Sequence, residues 1–198
     1  MAIIEARELR NEELLKNVSD KMPGWYNWWA KDNEIKNILE SENLSKKYYC
    51  EFKDYLTKGI GELNDYYCIY TGVAIKDSIR SRLDWHICQT HTLSLVKSGF
   101  LSTFRQSISS LISGNQMDEY NTNLFIDKLK IEYYSIEYTI GNEKAKYFLD
   151  KNEKNIMANN FLILNIQGNK KKELQEFLSD LKKARKNSKQ KAIKDQTQ

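Results

Sequence analysis

The 198-residue sequence has one proline, three cysteines and no apolar run long enough to span a bilayer. A single proline excludes a long proline-rich linker, and 40% hydrophobic residues are enough for one compact core. Three scattered cysteines are too few for a disulfide framework. The first residues include early acidic side chains and no apolar signal segment. These absences favour a cytoplasmic protein with free thiols and no membrane contact.

The charge of the chain is unevenly distributed. The net charge is +4, but residues 169–198 contain ten Lys or Arg and four Asp or Glu, so that this end carries +6. The remainder therefore carries −2. A basic end suits a polyanion such as DNA, although a solvated lysine-rich helix has the same composition.

The alternation of apolar and turn residues predicts an α+β fold, with a small, mostly antiparallel, three-stranded central sheet flanked by helices. The strands are expected at 25–30, 66–74 and 129–140. Helices are expected at 3–18, in two pieces over 33–58, after a cap at Asp77 or Ser78, from a Thr103–Gln106 capping box, over 142–158 and near the C-terminus. Residues 161–166 are strand-like, and past Lys186 we expect disorder because apolar periodicity ends.

Arg82 and His86 follow the second strand in the stretch SIRSRLDWH. Residues four apart share one helix face, whereas Arg80 points elsewhere. Arginine matches a phosphate with a fixed fork of donors, and histidine can move a proton near neutral pH. The pair is therefore suited to phosphoryl transfer, although most such pairs on helices are simply solvated.

A carboxylate and several tyrosines add to this pattern. Glu153 lies between Leu149 and Met157 at helical spacing, beside an apolar stripe, where a carboxylate is costly unless it is paired or binds a metal. Tyr26 and Tyr70 each lie in a strand-like run next to a glycine. Taken singly, a glutamate at a helix edge and aromatic residues in strands are usually structural.

Together, these residues resemble the GIY-YIG endonuclease superfamily. Gly24-Trp25-Tyr26 resembles the first signature, Tyr70-Thr71-Gly72 the second, and SIRSRLDWH the arginine-bearing helix. Glu153 and Asn165, twelve residues apart, resemble the closing Glu…Asn pair. The resemblance spans residues 24–165, about 70% of the chain.

The resemblance implies hydrolysis of phosphodiester bonds in double-stranded DNA with one Mg²⁺ ion, which Mn²⁺ could replace. Glu153 would hold the metal, and Arg82 would bind a non-bridging oxygen in the transition state. Asn165 would fix the local backbone and a substrate or metal-bound water. Tyr26 would orient or deprotonate the attacking water with the help of His86, since a tyrosine alone is a poor base. Tyr70 would hydrogen-bond the scissile phosphate or the water.

Some features depart from the common family pattern. The two signature tyrosines are 44 residues apart, with a predicted helical insert at about 33–60 between them. Trp25 and Thr71 replace aliphatic residues, and GIGEL at 59–63 is a second candidate for the first signature, but it lacks the tyrosine. Histidine at 86 resembles the restriction-enzyme branch. We therefore expect a nuclease domain over 1–168 and a basic helical extension with a disordered tail over 169–198, in a monomer or a homodimer.

Residues 99–107 and 165–172 contain donors for phosphates and bases, although a capped surface helix explains the first segment equally well. The side chains expected to contact DNA are Arg80, Arg105, Gln106, Lys170, Lys171 and Lys172.

Other functions remain open on the sequence alone. His86, Cys88 and His91 could suggest zinc, but their spacing does not match the usual paired ligands. The fold could also serve as a DNA-binding module without cleavage, or as a protein whose basic helix binds an acidic partner. Among nucleases, a repair or mobile-element enzyme is the alternative to restriction.

Overall fold

The computed structural model describes residues 1–196, and its centre is one four-stranded antiparallel sheet. The strands are β1 (Ala2–Glu5), β2 (Gly24–Lys31), β3 (Tyr66–Ala74) and β4 (Lys130–Ser135), in the order β1-β4-β2-β3. Central β2 is rich in tryptophan and buried along most of its length, as expected for a strand covered on both faces. The α+β class is confirmed, and a strand forms at each of the three predicted segments, although β4 ends at Ser135 and not at residue 140. A fourth strand extends the sheet.

The added strand β1 lies where the sequence pattern predicted a helix over 3–18. Its residues pair with β4, with Ile4 opposite Ile131, and β-branched side chains favour such a surface. Only a 3₁₀ turn at Ala6–Arg10 and the one-turn helix Glu12–Leu15 follow. The helix prediction was therefore wrong, because pairing with a strand distant in sequence outweighed a weak local periodicity.

Helices surround the sheet. They are α1 (Glu12–Leu15), α2 (Asp32–Leu39), α3 (Tyr49–Phe52), α4 (Ile79–Ile87), α5 (Leu93–Ser98), α6 (Thr103–Ile112), α7 (Glu119–Ile126), α8 (Glu143–Asn159) and α9 (Gln175–Asp195). Short 3₁₀ turns occur at Ala6–Arg10, Gly61–Leu63 and Lys172–Leu174. No helix within residues 1–196 is both long and apolar enough to cross a membrane.

Side-chain caps determine where the two helices nearest the site begin. Ser78 caps α4 by accepting a hydrogen bond from the Ser81 backbone, as one of the two predicted alternatives proposed. Helix α6 is capped by Ser102, which accepts from the Arg105 N–H, and not by the predicted Thr103 box. Both caps orient helices whose first turns face the sheet.

The predicted strand at 161–166 is a buried but irregular segment. It runs along β3, an edge strand of the sheet, and the Leu164 N–H donates to the Ile69 carbonyl at 2.9 Å. An exposed edge would leave unpaired backbone groups. The segment therefore covers this edge without forming a ladder, which is why its apolar composition resembled that of a strand.

The C-terminal helix α9 continues well past Lys186, to Asp195, so the expectation of disorder there was wrong. The Ser188 and Ser110 hydroxyls are 2.5 Å apart, and this contact joins α9 to α6. Ala192 is buried in a small apolar cluster with Val96 and Leu101. Residues 197–198 of the predicted tail lie outside the described residues. The helix is held by packing at a few small residues that an amphipathicity pattern does not detect.

We expect Ala192→Glu to lower the melting temperature by about 5 °C or more, because it buries an unpaired charge in this cluster. Lys191→Glu is the matched control, since the neighbouring side chain is exposed. Thermal unfolding followed by circular dichroism measures both. Equal melting temperatures would show that the end of α9 is not packed.

Candidate active site

Strands β2 and β3 bring the two signature tyrosines together. Tyr26 pairs with Gly72 across the ladder, and its ring centroid is 6.4 Å from that of Tyr70. A Cβ at Gly72 would lie 2.6 Å from Cζ of Tyr26. The glycine is thus required by the close approach of the Tyr26 phenol to the β3 backbone.

Helix α4 places a histidine against this phenol. The Tyr26 hydroxyl and His86 Nε2 are 2.7 Å apart, and His86 Nδ1 is 2.7 Å from the Ser102 hydroxyl. Tyr26, His86 and Ser102 are all buried. They form a continuous hydrogen-bonded chain from β2 through α4 to the cap of α6. Ser102 was expected to offer a donor to DNA, but it is inside the protein.

Burial determines the protonation of this chain. Desolvation, with a smaller contribution from Tyr70, raises the pKa of Tyr26 well above its usual value. Desolvation, together with the charges of Arg82 and Arg105, lowers the pKa of His86 to about 3. At neutral pH the pair is therefore a protonated phenol beside a neutral imidazole, which has a lone pair available for a proton.

Because both histidines are buried, acid should destabilise the fold. His86 and His91 have pKa values lowered to about 3 and about 4, whereas an unfolded histidine titrates near ~6.5. Below ~6.5 the unfolded chain binds more protons, so the free energy of unfolding decreases as the pH falls from ~6.5 to ~4. Urea unfolding at several pH values should show that the free energy of unfolding depends less steeply on pH in His86→Phe than in the wild type. An unchanged slope would mean that His86 titrates normally in the fold.

Arg82 lies on the same face of α4, one turn before His86. Its Nη2 contacts Asp77 Oδ2 at 2.7 Å, and its guanidinium stacks 4.8 Å from the centre of the Trp85 ring. Its Nε is buried without a hydrogen-bond partner. Burial raises the pKa of Tyr70, and the charge of Arg82 acts in the opposite direction. An unpaired donor on a held arginine is suited to an oxygen of a ligand.

Arg80, predicted to contact DNA, points away from this site. Its Nε donates to the Val18 carbonyl at 2.7 Å and its Nη2 to the Lys16 carbonyl at 2.5 Å. Its Nη1 lies 3.3 Å from Asp20 Oδ2. The guanidinium fastens the segment before β2, so the expected DNA contact is corrected to a structural role.

A polar cavity of about 160 Å³, which Tyr70 helps to line, contains the predicted metal ligand. The side chains that matter on its wall are those of Tyr70, Thr103, Glu153, Asn165, Gln167 and Arg185. Within residues 1–196, Glu153 makes no hydrogen bond or ion pair, and burial, with the nearby Asp150 charge, raises its pKa. A part-buried carboxylate that faces a polar cavity without a donor is suited to a cation.

Asn165 is positioned by the edge of the sheet. Its side-chain oxygen accepts from the Thr71 N–H and its amide donates to the Thr71 carbonyl, each at 2.9 Å. The side-chain amide thus pairs with the Thr71 backbone groups in the way that a neighbouring strand would. This bonding holds the second signature next to the segment that follows α8.

Arg185 of α9 is a wall residue of this cavity that the sequence reasoning missed. The signal was present, because Arg185 lies four residues after Leu181, on the helix face that buries Leu174, Leu178 and Leu181. A charged residue that continues an apolar stripe is either snorkelling or directed at a site.

Two further predicted DNA contacts are also internal. Arg105 is completely buried and donates to the carbonyls of His86 and Ile87 at 3.1 and 2.9 Å. Gln106 donates to the Leu101 carbonyl and accepts from Arg185 at 2.5 Å. The expected DNA contacts of both residues were therefore wrong. Arg105 donates hydrogen bonds to the free carbonyls at the end of α4, and Gln106 orients the Arg185 side chain.

The zinc alternative finds no support in the histidine environments. His91 Nδ1 is 2.7 Å from the Gln116 carbonyl, and its Nε2 accepts from Arg105. Among residues 1–196 there is no cluster of three or more His, Cys, Asp or Glu side chains that could hold a metal ion.

The predicted lysines lie around a second cavity beside α8. Lys154, Lys170 and Lys171 line a space of about 430 Å³, and Lys171 Nζ donates to the Ala158 carbonyl at 2.9 Å. Lys172 is exposed nearby. Lys154 directly follows Glu153 in the sequence, so a positive charge lies next to the candidate metal ligand.

The family assignment agrees with this geometry. The sequence model of the family described as "GIY-YIG catalytic domain" matches residues 24–187. The chain belongs to this family, whose fold and nuclease activity on DNA it shares. No curated protein and no solved structure matches the chain.

Proposed function

We propose that this protein is a magnesium-dependent endonuclease that cuts double-stranded DNA, and that it is a type II restriction enzyme. The observation that supports this most is the 2.7 Å contact between a protonated Tyr26 and a neutral His86, close to a cavity with an unpaired Glu153. A proton acceptor, a phosphate-binding arginine and a metal-binding carboxylate are what phosphodiester hydrolysis requires.

The proton path runs through the buried chain. Tyr26 takes a proton from the attacking water as it passes its own proton to His86 Nε2. Nε2 must then be the unprotonated nitrogen, so Nδ1 carries the hydrogen and donates it to the Ser102 hydroxyl. The hydrogen bonds at both ring nitrogens hold the imidazole in this orientation.

The Glu153 carboxylate fits Mg²⁺. This ion prefers oxygen ligands and keeps several waters, so it needs only one or two carboxylates. Glu153 offers one carboxylate in a polar cavity, and the Gln167 side chain is on the same wall. When bound, the ion would neutralise charge on the phosphate and on the leaving oxygen.

The remaining residues position the phosphate. Arg82 binds a non-bridging oxygen with its guanidinium, which Asp77 and Trp85 hold in place. Arg82 also lines a groove of about 770 Å³ on the outside of α4, through which a DNA strand can approach. Tyr70 lines the same cavity as Glu153 and hydrogen-bonds the phosphate or the water.

Lys170, Lys171 and Lys172 contact the DNA backbone, in keeping with the basic cavity around α8. Replacing all three by glutamine should weaken DNA binding and flatten its salt dependence, because fewer counterions are released. Anisotropy titrations at several salt concentrations, in Ca²⁺ to prevent cleavage, measure the slope. A triple mutant with the wild-type slope would exclude these lysines from the interface.

Restriction is favoured within the family by histidine at position 86 and by the insert that contains α2 and α3. We also propose a cytoplasmic location and a homodimer, which would cut both strands. Incubation of plasmid DNA with Mg²⁺ tests the function, and a fixed set of fragments is the expected result. Preference for branched DNA would indicate a repair or mobile-element nuclease, and binding without cleavage an inactive module.

A further inference from the structure

The C-terminal helix α9 contributes a cation to the catalytic cavity. Arg185 lies on the wall of the cavity that also contains Glu153, Tyr70 and Asn165. It comes from the basic C-terminal extension and lies twenty residues after Asn165, the last residue of the signature motifs. The cavity therefore has one predicted metal ligand and one arginine that none of the signature motifs includes.

Arg185 is partly buried and has no neutralising partner within residues 1–196. No carboxylate within residues 1–196 lies within 4.0 Å of its guanidinium, and burial lowers its pKa. Its Nη2 donates to the Gln106 side-chain oxygen at 2.5 Å, and Gln106 is itself held by the Leu101 carbonyl. A neutral amide orients a guanidinium but leaves its charge uncompensated. A partly buried cation of this kind is suited to bind an anion.

The neighbouring groups indicate which anion fits. Tyr70 and Arg185 line the same cavity, and Arg82 is on the helix that also carries His86, whose ring centroid is 6.0 Å from that of Tyr70. Burial raises the pKa of the Tyr70 hydroxyl, and the charges of Arg82 and Arg185 both act to lower it. A phosphate that contacts this hydroxyl would be within the field of both. Guanidinium groups match the tetrahedral oxygens of phosphate with paired donors.

We propose that Arg185 binds a phosphate oxygen of the cleaved DNA strand, in the cavity that it shares with Tyr70 and Glu153. This inference rests on the proposed nuclease function for the identity of the phosphate. Helix α9 is then part of the active site, and the catalytic site is incomplete without it. Gln106 is the positioning residue that keeps the Arg185 donors directed into the cavity.

Two variants and a control test the proposal. Arg185→Gln removes the charge, whereas Arg185→Lys keeps the charge but lacks the paired planar donors of the guanidinium. Lys186→Gln makes the same charge change at the next, exposed residue of α9. In single-turnover cleavage with saturating enzyme, Arg185→Gln should be slower by about a hundredfold, Arg185→Lys intermediate, and Lys186→Gln near wild type.

A second measurement does not depend on cleavage. Inorganic pyrophosphate, without divalent metal, should raise the melting temperature of the wild type and of Lys186→Gln by binding the folded state. It should stabilise Arg185→Lys less, and Arg185→Gln not at all. The melting curves without pyrophosphate verify that each variant is folded.

The two measurements separate the inference from the function on which it rests. If the wild type cuts no DNA but pyrophosphate stabilisation is lost in Arg185→Gln, the proposed function fails and the anion site stands. Equal pyrophosphate stabilisation of wild type and Arg185→Gln, or none in the wild type, overturns the inference. Cleavage by Arg185→Gln at the wild-type rate overturns it as well.

Discussion

Glu153→Gln should abolish DNA cleavage while leaving DNA binding nearly intact. The substitution keeps the size of the side chain but removes the negative charge that would hold Mg²⁺ in the polar cavity beside Tyr70. Metal-ion charge stabilisation is worth several kcal/mol, so the rate of the chemical step should fall by about a thousandfold or more. Single-turnover cleavage of plasmid DNA measures the rate, and anisotropy in Ca²⁺ measures binding.

Stability gives this prediction a second readout. The unpaired, part-buried carboxylate is unfavourable in the absence of metal, as its raised pKa indicates. Glu153→Gln should therefore be at least as stable as the wild type without metal, and Mg²⁺ should no longer stabilise it. Glu143→Gln, at the exposed start of the same helix, should behave as wild type in both measurements. Full cleavage by Glu153→Gln would remove the metal assignment.

The parts of the site that could be predicted from sequence depend on local spacing. Tyr26 and Tyr70 lie on strands with clear β composition, and Arg82 and His86 are one turn apart on a helix with a serine cap. These elements form where the pattern places them, and they bring Tyr26, Tyr70 and His86 together. Asn165 also lies at the sheet, although its segment is irregular. It pairs with β3 through its side-chain amide and not through its own backbone.

The errors have a common physical origin in tertiary contacts. Arg105 looked like a surface cation, but α6 packs so that its guanidinium satisfies the carbonyls at the end of α4. Strand β1 forms only because β4, distant in sequence, offers it an edge. Arg185 was missed because its destination depends on how α9 packs against α6, through contacts such as Ser110 with Ser188. Propensity and periodicity contain no information about such partners.

Arg82→Ala should reduce the single-turnover cleavage rate by roughly a hundredfold or more, whereas Arg80→Ala should leave that rate nearly unchanged. The two arginines are two residues apart on α4, and the helix directs them to different surroundings. Arg82 has an unpaired buried Nε, and its charge acts to lower the pKa values of Tyr70 and His86. Arg80 donates to the carbonyls of Val18 and Lys16, so its loss should lower thermal stability instead.

The pair of variants separates chemistry from folding, because each serves as the control for the other. Saturating enzyme removes differences in DNA affinity, and the melting temperature reports the loss of the Arg80 contacts. Arg82→Lys keeps the charge but not the planar fork or the stacking on Trp85, so its rate should lie between those of wild type and Arg82→Ala. If Arg80→Ala stopped the chemical step and Arg82→Ala did not, Arg80 would have to leave the Val18 carbonyl and turn toward the DNA. The phosphate would then approach α4 from the side of α1, and the proton path through Tyr26 and His86 would no longer face it.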